Sequence, residues 1–225
     1  GVAKYRKSPM ASQQHIRSKT SAQEASRLTR DDWLDEAFKA VVEGGFDNVK
    51  VLSLAEKLKV TRGSFYWHFT DHAELISSLL MRWRDRELDL IHQNKLNHDS
   101  LADPLEDLVR LLDVALQHAG KDLINMRFEL ALRGLGRRDA RVAEQLAEVD
   151  KARMNLFQHK FLRLTNDPQK AGELASLFYL SIVGSHQALS RPVNTPQLSA
   201  YLKRIICLYL IDPHFSQSHV AQSAV

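Results

Sequence analysis

From residue 28 onward apolar side chains recur every three to four positions, the period of helices with one buried face. Trp33, Leu34, Ala37, Phe38, Val41 and Val42 predict a first helix. Thr29 can cap it, and Asp31 and Asp32 stand in its first turn, where the dipole favours acids. Gly44-Gly45 is expected to end it. A second helix is predicted from about Val51 to Leu58, with Leu54, Ala55 and Leu58 inward. Lys59-Val60 makes a tight turn, and Thr61 is placed to cap a short third helix reaching Phe69. At about 100° per residue, Phe65 and Phe69 share one face of that helix. Gly63, Ser64, Tyr66 and Trp67 fall on the other. The first face can bury itself. The second offers a hydroxyl, a phenol, an indole and a glycine, of no use in a core and of direct use in a DNA groove. Two short helices, a tight turn and an apolar brace helix are the parts of a helix-turn-helix.

The pattern continues into a helical bundle. A fourth helix is predicted from about Asp71 into residue 93, carrying Leu75, Leu79, Leu80 and Trp83. Asp103-Pro104-Leu105-Glu106 is a helix start with an acidic cap, a first-position Pro and a capping-box Glu. That helix should end by Gly120. Another covers about Asp122 to Arg133, stopped by Gly134-Leu135-Gly136, and a long one runs from Arg138 to about Leu164. Asp167-Pro168 opens the eighth and Thr195-Pro196 the ninth, near residues 196–210. The fold class is therefore all-α. The organisation is an arm over 1–27, a helix-turn-helix domain over 28–75 and a helical bundle over 76–225.

Composition sharpens this picture. The chain is 44% hydrophobic, enough for a core, with nine Gly and six Pro, few for a loop-rich fold. No run approaches the ~18 apolar residues of a membrane span, and no secretory pattern opens the sequence. A single cysteine, Cys207, excludes an internal disulfide and suits a reducing cytoplasm. The net charge of +4 is unevenly spread. Residues 1–27 carry Lys4, Arg6, Lys7, Arg17, Lys19 and Arg27 against Glu24, a net +5 that leaves the remainder at −1. The arm is expected to be disordered until bound, either following DNA phosphates or serving as a solubilising tail. His68 and His72 are four apart, a helical metal-ligand spacing, but Phe69-Thr70-Asp71 breaks the helix between them. No metal and no cofactor are expected.

From Thr29 to about Leu75 the chain resembles the DNA-binding domain of the tetracycline repressor (TetR) family. Thr29-Arg30, Ala37, Gly45-Phe46, Leu54-Ala55, Val60-Thr61 and Tyr66-Trp67-His68-Phe69 carry the resemblance. It implies about nine helices, a third helix in the major groove and DNA contacts from Lys50, Thr61, Arg62, Gly63, Ser64, Tyr66, Trp67, His68 and His72. Arg62, Gly63 and Tyr66 stand where base edges are met, and arginine suits the O6 and N7 of guanine. Ser64, Trp67 and His68 stand where phosphates are held, as O–H and N–H donors. Three positions depart from the family's pattern. Lys50 replaces a capping Ser or Thr, Lys59 replaces the turn glycine, and His72 replaces a phosphate-binding Lys. Leu52 stands where the tetracycline repressor has a base-reading Arg, so operator preferences do not transfer.

The resemblance also implies a cytoplasmic bacterial repressor that binds a near-palindromic operator as a homodimer. A small, mostly apolar effector in the bundle would release it. Helix 4, common to both domains, is the expected lever. Trp83, His118, Met126, Phe157, Tyr179 and His186, polar or bulky groups within apolar helices, are the pocket candidates. Leu177, Leu180, Ser181, Gly184, Ser185 and Ala188 place small residues at three- and four-residue steps on helix 8. With Tyr201, Leu202, Ile205 and Tyr209 on helix 9 they are the expected dimer interface. Two other readings stay open. One is a TetR-like protein-interaction regulator without operator binding. The other is an all-helical enzyme, against which stand the missing G-x-S-x-G, P-loop and H-E-x-x-H motifs. Glu129, Asp139 and Asp150 are read as surface charges.

Overall fold

In a computed structural model, residues 28–98, 103–121, 123–188, 200–202, 204, 205 and 208 are described. All regular structure among them is helical. The chain divides between Leu79 and Leu80 into two compact units.

In the first unit, α1 (Arg30–Gly44) starts with a reciprocal capping box. The Thr29 hydroxyl accepts from the Asp32 N–H, and the Asp32 carboxylate accepts from the Thr29 N–H at 2.7 Å. The helix closes on Gly45, whose φ of 79° favours glycine and whose N–H reaches the Val41 carbonyl at 2.7 Å. A 3₁₀ turn (Phe46–Asn48) leads to α2 (Val51–Lys57). Lys50 occupies the N-cap of α2 without a side-chain cap, and Lys59 sits in the left-handed region at φ 58°, as the two departures predicted.

The third helix differs from expectation. Arg62–Trp67 is a 3₁₀ segment, not an α-helix. Its bonds close over three residues, Ser64 N–H to the Thr61 carbonyl and His68 N–H to the Phe65 carbonyl. Thr61 is the residue before the segment, but its hydroxyl meets Ser64 Oγ at 3.3 Å and caps no backbone N–H. Burial still follows the predicted faces. Phe65 and Phe69 stack at 5.2 Å, Trp33 meets Phe65 edge-on at 5.4 Å, and all three are buried with Leu34, Ala37, Val41, Leu54 and Ala55. Leu58 is half-buried.

The division between units falls within α3 (His72–His98), which runs five residues beyond its predicted end. In the second unit follow α4 (Pro104–Lys121), α5 (Leu123–Gly136), α6 (Ala140–Thr165) and α7 (Pro168–Ala188). Asp103 caps α4 through the Leu105 N–H, and Asp167 caps α7 through the Gln169 and Lys170 N–H groups. Gly134 and Gly136, expected as a stop, are the last turn of α5. Asp139, read as a surface charge, is the N-cap of α6 and accepts from the Arg141 and Val142 N–H groups. The most extensive packing joins α6 to α7. Leu108, Leu112, Phe157, Phe161, Leu174 and Phe178 form the centre of that core. Beside it the buried Lys160 and the half-buried Arg163 both pair with the Asp107 carboxylate, at 2.9 and 3.0 Å, tying α4 to α6. The ninth helix lies largely outside the described residues, as do residues 1–27; Tyr201, Leu202, Ile205 and Leu208 are helical.

Candidate nucleic-acid interface and effector cavity

The buried Phe65–Phe69 stack is the base on which the opposite face of the 3₁₀ segment stands. Tyr66 is 53% exposed and Trp67 88%. Thr61, Arg62 and Gly63 are exposed, and Ser64 and His68 half-buried. A methyl built on Gly63 would meet only Thr61 Oγ1, at 3.7 Å, so packing within the unit does not require glycine there. Lys50 and His72 are exposed too, but the His72 ring is engaged. Its Nε2 lies 2.7 Å from the Val49 carbonyl. A carbonyl only accepts, so Nε2 donates, and only Nδ1 is left for an outside contact.

Arg30 went unassigned in the sequence reading beyond its part in the resemblance, and it organises this surface. Its guanidinium donates to the His68 carbonyl at 2.8 Å, to Ser78 Oγ at 2.5 Å and to Glu74 at 3.3 Å. It also lies 4.4 Å from the Phe69 ring centre, stacking on the aromatic base. Glu74 takes the Thr70 N–H at 2.6 Å, which with the Arg30 charge holds its carboxyl below the usual range. The signal in the sequence was an Arg beside the capping Thr29, and nothing in its spacing points 38 residues onward to His68.

The second unit holds a half-open cavity of about 350 Å³. Met126, Phe157, Tyr179 and His186 line it. Trp83 is buried but does not line it. The His118 side chain lies outside the described residues. Leu90, Ile91, Leu111, Val114, Leu156 and Ile182 supply apolar wall.

One side of the cavity is charged, which sequence reading missed. Arg153 pairs with Glu129 at 2.7 Å and with Glu87 at 3.0 Å. Arg133 forks onto both oxygens of Asp150, at 3.0 and 2.7 Å, and reaches Glu129 at 3.3 Å. The Tyr179 hydroxyl donates to Asp150. Glu129 and Asp150 are thus members of a largely enclosed network, not the surface charges expected. They lie on helices with ordinary charge spacing, and only the packing of α3, α5, α6 and α7 brings them together. Burial opposes the charge on Glu129, but Arg153 and Arg133 outweigh it and hold the carboxyl below its usual range. Asp150 is likewise held low against burial by Arg133 and Tyr179. Burial, reinforced by the bond to Asp150, pushes the Tyr179 phenol up to about 12 against the charge of Arg153. Burial pushes the His186 imidazole down, opposed by Glu129 and aided by Arg153 and Arg133. No group of three or more potential metal ligands occurs among the described residues.

The expected interface residues split. On α7, Leu177 (46% exposed), Leu180 (64%) and Gly184 are exposed along one face. Ser181 and Ser185 are half-buried, their hydroxyls returned to the carbonyls of Leu177 and Ile182. Tyr201 and Ile205 are exposed, whereas Leu202 is buried in the core. The Ala188 side chain and Tyr209 lie outside the described residues.

Residues 34–79 match the family model of bacterial regulatory proteins, tetR family. The HTH-type transcriptional regulator AcrR of Shigella flexneri is 31% identical over 110 residues, 48% of this chain and 49% of that protein. The HTH-type transcriptional regulator TtgR of Pseudomonas putida is 36% identical over 86 residues, 38% of this chain and 34% of that protein. The chain thus spans half or less of the curated relatives it matches. Solved structures extend the likeness to the second unit as fold alone. A transcriptional regulator from Rhodococcus aligns with a TM-score of 0.61 at 16% identity, over 81% of this chain and 94% of that one. FadR of Bacillus subtilis, in complex with stearoyl-CoA, aligns with a TM-score of 0.57 at 15% identity, over 81% of this chain and 98% of that one. No helix among the described residues is long and apolar enough to cross a membrane. Helix-turn-helix and matched motif agree: residues 34–79 carry the pattern of the tetR family of bacterial regulatory proteins, and the all-helical second unit has the fold of the solved regulators.

Proposed function

We propose that the chain is a ligand-responsive transcriptional regulator that binds a near-palindromic DNA site as a homodimer. The observation that carries this reading is the face of Arg62, Gly63, Tyr66 and Trp67, held outward on a buried aromatic base. An indole left 88% in water forgoes its burial energy, about 2 kcal/mol or more, unless a partner covers it. Arg62, Gly63 and Tyr66 meet base edges. Ser64, Trp67 and His68 meet phosphates, and Lys50 adds a cation beside the backbone. Leu177, Leu180 and Gly184 on one face of α7, with the exposed Tyr201 and Ile205, are the positions that a second copy would cover. A two-fold dimer sets its reading segments ~34–36 Å apart, one turn of DNA.

The cavity takes a small effector, and binding there lowers DNA affinity. Such a shift requires an effector that binds the two conformers unequally. Helix α3 gives Leu75 to the first unit's core and Glu87, Leu90 and Ile91 to the cavity, which makes it the connecting element. The stearoyl-CoA of the Bacillus neighbour supports a largely apolar occupant for this fold.

Selection from random duplex DNA at ~150 mM salt, where non-specific phosphate binding is weak, tests the reading. An enriched inverted repeat is expected. Folded, dimeric protein that enriches nothing contradicts it and favours a protein partner for the same face.

A further inference from the structure

We propose that the effector is an uncharged, apolar molecule, selected because the charges on the cavity wall are equal in number and already paired with one another. This rests on the reading of the cavity as an effector site and names the class of ligand it takes.

The charged side chains that line the cavity, among the described residues, are Arg86 and Arg153 against Glu87 and Glu129, two of each sign. Arg153 lies between the two acids, 2.7 Å from Glu129 and 3.0 Å from Glu87. The second oxygen of Glu129 takes Arg133 at 3.3 Å. Behind the wall Arg133 is held by both oxygens of Asp150, which also accepts from the Tyr179 hydroxyl. Arg86, on the exposed side, donates to Asn125 Oδ1 at 2.7 Å. His186 also lines the cavity, and burial pushes its imidazole toward the neutral form. The rest of the wall is mostly apolar.

A charged ligand of either sign meets opposition on this wall. An anion that approached Arg153 would stand beside Glu87 and Glu129, both within 3.0 Å of that guanidinium. A cation that approached either acid would stand beside Arg153 in turn. Each would give up water for a counter-charge already shared, and would weaken the pairs that hold α3, α5 and α6 together. An uncharged apolar molecule disturbs no pair. It is bound by covering the aliphatic side chains and the rings of Phe157 and Tyr179, which lie 6.2 Å apart on the wall. At about 350 Å³ the cavity is at the small end of ligand sites, which suits one compact chain or ring system.

Calorimetric titration of the full chain with 1-decanol, decanoate and 1-decylamine, each below its aggregation limit, tests this. The three share a ten-carbon chain and differ in charge. The alcohol is expected to bind about tenfold tighter than either ion. Glu87→Gln leaves the wall with one positive charge in excess, so decanoate should gain about tenfold on decanol while decylamine does not, with circular dichroism unchanged. A preference set by the probes' own hydration would stay as it was in wild type. Should Glu87→Gln fail to fold, Arg86→Gln takes its place with the sign reversed, and the amine should gain. Ala115→Trp, which fills the cavity, should remove decanol binding. An ion that matches the alcohol on the wild-type chain, a ranking that ignores the charge variant, or decanol binding that survives in Ala115→Trp would each overturn the proposal. An ion that binds tightest and is lost in Ala115→Trp overturns the ligand class and leaves the effector reading of the cavity standing. Binding of no probe overturns both. Decanol binding that leaves affinity for the selected DNA unchanged upholds the ligand class and contradicts the effector role alone.

Discussion

The two units set arginines beside aromatic rings and do opposite things with them. In the first, Arg30 is spent on holding the end of the 3₁₀ segment, and Arg62, Tyr66 and Trp67 are left to water. In the second, Arg133 and Arg153 are consumed by Glu87, Glu129 and Asp150 beside a cavity. The difference lies in what each surface must exchange. A DNA-reading face gives up only loosely held water, so its donors can stand free until a phosphate or base arrives. Charges drawn in beside a cavity meet less water, so each of these guanidiniums is held by carboxylates.

The contrast predicts where mutations will be felt. Arg153→Ala takes the ion pair from Glu87 and leaves Glu129 with Arg133 alone, and it should cost about 3 kcal/mol of stability. A denaturant titration whose midpoint stayed at the wild-type value would show that the network carries no stability. Trp67→Ala should leave the denaturation midpoint within error of wild type and weaken DNA binding by about 1–3 kcal/mol. A stability loss of that size with DNA affinity intact would make Trp67 a packing residue.

The pH response should separate the units as well. Glu129 and Asp150 have folded pKa values below their unfolded ones, so they stabilise the second unit at neutral pH, and that stability is lost as pH falls through the acid range. His186 is also depressed in the folded state, which adds a loss that begins as pH drops below about 6.5. Tyr179 is raised to about 12, so its contribution is intact below about 10 and disappears as pH climbs from there. Thermal melts from pH 8 down to 4 and up to 11 should therefore fall on both sides. His186→Gln should remove the first part of the acid loss, and an unchanged profile would take His186 out of the account.

The smallest effect belongs to the turn. Lys59 holds φ 58°, a region that disfavours every residue except glycine, so Lys59→Gly should raise stability by about 1 kcal/mol. No gain in melting temperature would mean that the lysine side chain compensates for its backbone.

The legible parts of this molecule were those carried by neighbours in sequence. Phe65 and Phe69 lie four apart, and their shared burial followed from spacing even though the segment is 3₁₀ rather than α. The capping box of Thr29 and Asp32, the caps at Asp103 and Asp167 and the strain at Lys59 are local in the same way. Met126, Phe157, Tyr179 and His186, which line the cavity, are each a bulky or polar group in an apolar stretch. The charged wall of the cavity offered no such mark. Glu87, Glu129 and Arg153 come from α3, α5 and α6 and read one at a time as solvated helix surface. Arg30 is the same case in the first unit, since its partners lie 38 to 48 residues away. Gly134 and Gly136 were misread because a glycine near a helix end marks a stop only where the chain takes a positive φ, and theirs is helical.

The central claim is that the outward face of the Arg62–Trp67 segment reads base sequence. The affinities of wild type and Arg62→Ala, measured across every single-base variant of the selected duplex, test it most directly. The account predicts that Arg62→Ala costs about 1–3 kcal/mol and loses its preference at one position in each half-site, a guanine. A uniform loss over all variants, with every preference intact, would contradict it and leave Arg62 a phosphate contact.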